Sequence, residues 1–80
     1  MKVRIYKSSE MPSLVSVKII KDYVGCTLNE SMEIIDSVNV KQEYPKQIEF
    51  KKDFVDVEAN KCIEFISKMK SIGWSIESVE

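Results

Sequence analysis

Residues 13 to 36 read S-L-V-S-V-K-I-I-K-D-Y-V-G-C-T-L-N-E-S-M-E-I-I-D, and their spacing decides the fold. From Ser13 the apolar residues Leu14, Val17, Ile20 and Val24 recur at steps of three and four, with Ser16, Lys18, Lys21 and Asp22 on other sides. That period predicts an amphipathic helix. Gly25 ends it where a left-handed residue is cheap. Thr27, followed three residues later by Glu30, has the spacing of a capping box, so a second helix is expected from Leu28 to about Ser37. Leu28, Met32 and Ile35 are expected on its buried side. The result is a glycine-hinged pair of short helices, and its outward surface is the expected docking surface. Leu14, Val15, Lys18, Lys21, Asn29 and Met32 are its candidate partner-binding residues.

Outward from the hairpin the period changes. Val3 and Ile5 alternate with Lys2, Arg4 and Tyr6, which predicts a strand over residues 2 to 7, broken by Ser8, Ser9 and Pro12. Residues 38 to 45 have no clean period and read as a connecting loop, with extension of the next strand left open. Ile48 and Phe50 alternate with Gln47, Glu49 and Lys51, which places a second strand at 46 to 52. Asp53 and Asp56 are candidate caps for a third helix with Cys62, Phe65, Ile66, Met69 and Ile72 on one side. Gly73 stops that helix, and Trp74, Ile76 and Val79 form a last strand with Trp74 packed inward. The fold class is therefore α+β: a small β-α-α-β-α-β sandwich, in which a three-stranded, mostly antiparallel sheet carries three helices on one face.

Eighty residues suit one domain, spanning 1 to 80, with a single small core. Twelve basic residues nearly cancel thirteen acidic ones, which argues against a nucleic-acid footprint. No apolar run approaches the roughly 20 residues that span a bilayer, so a cytoplasmic protein with no membrane partner is expected. The chain has no histidine to act as a base near neutral pH, and two glycines are too few for a glycine-rich phosphate loop. No enzyme activity, cofactor or metal is expected. Cys26 and Cys62 are expected to be reduced thiols, Cys62 within the core.

The hairpin V-S-V-K-I-I-K-D-Y-V-G-C-T-L-N-E-S-M-E-I-I-D and the final C-I-E-F-I-S-K-M-K-S-I-G-W-S-I-E-S-V resemble the C-terminal domain of the bacterial large-subunit ribosomal stalk protein, seven/twelve. Lys18 and Lys21 match its two basic positions on the first helix, Gly25 its hinge, and Leu28 and Glu30 the start of its second helix. The resemblance implies a domain whose first two helices recruit translation GTPases or other ribosome-associated factors. It covers most of the chain apart from residues 38 to 57. Asn29 and Met32 stand where the family has lysines, Glu30, Glu33 and Asp36 add an acidic stripe, and K-Q-E-Y-P-K-Q lengthens the middle. Because the sequence opens on the first strand, it reads as a stand-alone copy, an adaptor or a competing inhibitor of the size expected of a phage accessory protein.

A second reading is a small RNA- or DNA-binding accessory protein using Lys41, Lys46, Lys51 and Lys52 with Tyr44, Phe50 and Trp74. The same lysines also suit a charged edge strand that resists aggregation. A dimer is open to the chain through a strand edge or the apolar residues of the first helix.

Overall fold

The computed structural model describes residues 1–9, 11–40, 42–43, 46–47 and 52–79. In chain order these form β1 (Lys2–Tyr6), β2 (Ser8–Ser9), α1 (Ser13–Val24), α2 (Leu28–Val38), β3 (Asn39–Val40), β4 (Gln42–Glu43), β5 (Lys46–Gln47), β6 (Phe54–Glu58), α3 (Cys62–Ser71) and β7 (Ile76–Ser78). β1 is the central strand of the sheet, with β6 and β7 antiparallel on either side. Successive strand residues face opposite ways, so Val3 and Ile5 are fully buried while Lys2, Arg4 and Tyr6 turn to the other face. The register sets Val3 opposite Val57 and Ile5 opposite Ile76, which lines up the inward residues across the sheet. They join Ile20 of α1, Ile35 of α2 and Phe65 and Met69 of α3 in one core. All three helices thus cover the same face, as the α+β reading expects. Within that layer α1 packs against both α2 and α3, while α2 reaches β6 and α3 reaches β7.

The second strand of the sheet is a correction. Residues 48 to 51, the centre of the stretch expected as a strand, lie outside the described residues. Lys46–Gln47 pairs with Gln42–Glu43 in a separate small hairpin, and the strand that joins the sheet is Phe54–Glu58. Val55 and Val57 alternate there with Phe54, Asp56 and Glu58, a period-two pattern as clean as that of residues 47 to 51. Asp53 and Asp56 are consequently not helix caps. The Asp53 carbonyl accepts the Lys7 N–H at 2.9 Å, and the Asp53 carboxylate accepts from Lys7 Nζ at 3.1 Å. Helix α3 begins instead at Cys62, and the residue at its N-cap is Lys61, held left-handed at φ 48° with no side-chain cap hydrogen bond.

Asp56 belongs to a cluster on the sheet's open face. Arg4 Nε and Nη2 donate to its two carboxylate oxygens at 2.9 and 3.2 Å, and the guanidinium lies 4.0 Å from the centre of the Phe54 ring. This forked hydrogen bond holds the Asp56 carboxyl below the usual carboxylate range. A carboxyl with a depressed folded pKa adds stability above its unfolded value, near about 4, and loses it as pH falls through the folded one. Melting temperature should therefore drop on acidification below about pH 4. Arg4→Met should flatten that decline, and an unchanged pH profile for the variant would remove Arg4 as its cause.

The chain after β1 does more than break a strand. Ser8 and Ser9 pair in parallel with Asn39 and Val40. The buried Asn39 side chain accepts the Met11 N–H at 3.1 Å and donates to the Met11 carbonyl at 3.2 Å and to Ser13 Oγ at 3.3 Å. Of the residues expected as a connecting loop, Val38 closes α2 and Asn39–Val40 is paired, while Lys41, Tyr44 and Pro45 lie outside the described residues. At the far end, Trp74 is buried as expected, although β7 itself starts at Ile76.

Candidate functional site

The α1–α2 hairpin is built by three local devices. Gly25 takes φ +76°, and its N–H donates to the Lys21 carbonyl at 3.1 Å, which closes α1. The capping box is present: the Glu30 N–H donates to Thr27 Oγ1 at 3.2 Å, and the Thr27 N–H reaches Glu30 Oε1 at 3.5 Å. Between the helices, fully buried Ser31 donates its hydroxyl to the Val17 carbonyl at 2.5 Å. A side chain this small lets the two helices approach closely, and its hydrogen bond satisfies the buried hydroxyl.

Val17 and Ser31 therefore mark the sides on which the helices meet. Leu14, Val17 and Lys21 lie at i, i+3 and i+7, so Leu14 and Lys21 flank the contact, and Lys18 sits beside them on the exposed side of α1. On α2 the fully buried line is Ser31, Ile35 and Val38; of the line Leu28, Met32 and Ile35 expected from sequence, Ile35 is buried and the other two are not. Leu28 and Met32 are consequently exposed, at 54% and 46%, and their assignment to the core is corrected. Leu14, expected on the apolar face of α1, is 87% exposed. Val15, Lys18, Lys21 and Asn29 are exposed as well.

Leu14, Val15, Leu28 and Met32 are thus exposed on the two helices of one hairpin, which also carry Lys18 and Lys21. Isolated exposed apolar residues are ordinary on protein surfaces, whereas several on one hairpin make it the candidate contact surface. Leu28 was not among the residues singled out for docking. The serine at position 31 is the sequence signal that sets the phase of α2, because the closest point of a helix crossing favours a small residue.

Charge is divided across this surface. Lys18 and Lys21 lie on α1, and Glu33 and Asp36 are exposed on α2, while the Glu30 carboxylate is engaged with Thr27. Among the described residues none of these four charges takes part in an ion pair. The open face of the sheet is different, because Arg4 and Asp56 pair there. Beside Arg4 and Asp56, the Tyr6 hydroxyl donates to the Glu77 carboxylate, an interaction that raises the Tyr6 pKa.

Depressions among the described residues include two. One of about 690 Å³ at the start of α3 is lined by Met1, Lys61, Cys62, Ile63, Glu64, Ser67 and Lys68. A second of about 250 Å³ lies between α2 and β6, with Glu30, Glu33 and Lys52 on its walls. Among the described residues no group of three or more acidic or cysteine side chains is arranged to hold a metal ion. Both cysteines are free thiols, and Cys62 is buried.

The residues proposed for nucleic-acid contact are not brought together among the described residues. Lys41, Tyr44, Phe50 and Lys51 lie outside them, as does the side chain of Lys46. Lys52 is exposed, and Trp74 is only 3% exposed, with its indole N–H donating to Ser16 Oγ at 2.8 Å. Trp74 is an internal strut and not a platform for bases. No helix of the described residues is long and apolar enough to cross a membrane. Comparison with protein families, with curated proteins and with solved structures finds no match to this chain.

Proposed function

We propose that this chain is a non-catalytic protein-interaction module that docks a protein partner through the crest of the α1–α2 hairpin. The observation that carries this reading is the exposure of Leu14, Val15, Leu28 and Met32 on one hairpin, next to two lysines that take part in no ion pair among the described residues. A partner suited to the α1 side presents an apolar pocket rimmed by carboxylates. Leu14 fills the pocket, and Lys18 and Lys21 meet its rim. The resemblance to the ribosomal stalk domain supplies the candidate class, a translation GTPase or a ribosome-associated factor in the cytoplasm. In this reading the chain acts there as an adaptor or as an inhibitor that occupies the partner's docking site.

Titration calorimetry against a purified bacterial translation GTPase tests this. The Leu14→Asp and the Lys18→Glu, Lys21→Glu variants are each expected to weaken binding by at least about 30-fold, the loss associated with a hot-spot residue. All three positions are exposed, so each variant should melt within about 4 °C of the parent. Unaltered binding by both variants would sink the assignment of the crest as the docking face.

A further inference from the structure

We propose that the hairpin crest also receives a second copy of this chain, forming a weak two-fold dimer that covers the docking face. The inference rests on the reading of the crest as a docking surface and adds a second occupant, one that competes with the partner. Its basis is the layout of charge. Leu14, Leu28 and Met32 are exposed on the two helices, with Lys18 and Lys21 exposed on α1 beside a single carboxylate, Asp22, and Glu33 and Asp36 exposed on α2. A uniformly acidic partner is attracted by the first pair and repelled by the second, and a basic partner meets the reverse. The surface that matches both sides at once is one with the same division of charge turned around.

A two-fold axis lying in the plane of the contact and parallel to the helices performs that turn. It sets α1 of one copy over α2 of the other, so that basic side meets acidic side twice while the exposed apolar residues of the two copies meet. Each patch is then its own complement, which is the requirement for a closed dimer. The chain's near-neutral total, net charge −1, leaves little overall repulsion between copies. The contact involves two short helices per copy, so it belongs to the small, transient class of interface.

Sedimentation analysis of the chain alone, with no partner present, reads this independently of the GTPase. Between about 1 μM and 1 mM the weight-average mass should rise toward double. The decisive variants are Lys18→Glu, Lys21→Glu in one protein and Glu33→Lys, Asp36→Lys in another. Each alone faces like charge with like charge and should stay monomeric, and an equimolar mixture should regain the dimer, because both halves of the contact are then complementary. A parent that is monomeric throughout, variants that remain dimeric singly, or a mixture that stays monomeric overturns the proposal. A dilution series of amide spectra on the parent chain needs no variant. Shifts concentrated at Leu14, Val15, Lys18, Asn29 and Met32 support the dimer, and shifts concentrated on the β7 edge or around Ile63 overturn it. Loss of GTPase binding with the dimer intact removes only the partner reading. A monomer that binds the GTPase removes only the dimer.

Discussion

Phe65→Ala is expected to lower the free energy of unfolding by about 3–5 kcal/mol, the cost of emptying a fully buried aromatic site. A chain of this length has a total of about 4–12 kcal/mol at typical stability per residue, so the variant stands at or near the edge of folding. The magnitude follows from position. Phe65 projects from the middle of α3 into the core shared with Ile5, Ile20 and Ile35, and its ring centre lies 5.7 Å from that of Tyr23 on α1. Truncation opens a cavity where α1, α3 and the sheet converge and removes the ring contact that joins the two helices. Phe65→Leu keeps most of the volume and should cost less than half as much. Urea unfolding at 25 °C followed by far-UV circular dichroism measures both. A loss under about 1 kcal/mol for the alanine variant would contradict the packing described here.

Trp74→Ala carries the second large effect, about 3–5 kcal/mol, because the indole is buried and is tied by a hydrogen bond to the base of the hairpin. Ser16 is the other half of that tie. Its hydroxyl donates to the Pro12 carbonyl at 2.5 Å and accepts the indole N–H, so one small side chain connects the first turn of α1 to the approach to β7. The asymmetry between partners is the sharper expectation. Trp74→Phe removes the donor and leaves Ser16 bonded to Pro12, whereas Ser16→Ala strands a buried indole N–H and should cost about 1–3 kcal/mol. Melts of the two single variants and the double variant give the coupling directly. If Ser16→Ala proves neutral, the hydrogen bond is not a structural tie.

How far the fold was legible depended on whether local pattern and tertiary placement agreed. The first strand, the glycine joint, the capping box and the apolar side of α3 all rest on spacing within one or two turns, and each stands where the sequence puts it. The sheet strand Phe54–Glu58 was hidden by its aspartates. Asp53 and Asp56 are frequent helix starters, yet here both face basic residues of the first strand and its end, Lys7 and Arg4, which sequence spacing does not reveal. The phase of α2 differs from the sequence expectation for a related reason. Leu28, Met32 and Ile35 form a plausible apolar line, but the serine at position 31 marks the crossing point, and a polar residue gives no hydrophobic signal. Leu14, Val15, Lys18, Lys21, Asn29 and Met32 are each exposed on the hairpin. Their grouping with Leu28 came from the rotation of α2, a tertiary fact.

The clamp made by Asn39, together with the short parallel pairing of Ser8–Ser9 with Asn39–Val40, has a consequence for how this architecture tolerates change. Departure and return of the helical excursion are fastened at one doorway, a few residues beyond the end of the central strand. Everything between Met11 and Asn39 is therefore a closed cassette. Its tip can be lengthened, shortened or re-lettered without shifting the register of the sheet beneath, as long as the asparagine latch and the inward-facing contacts are kept.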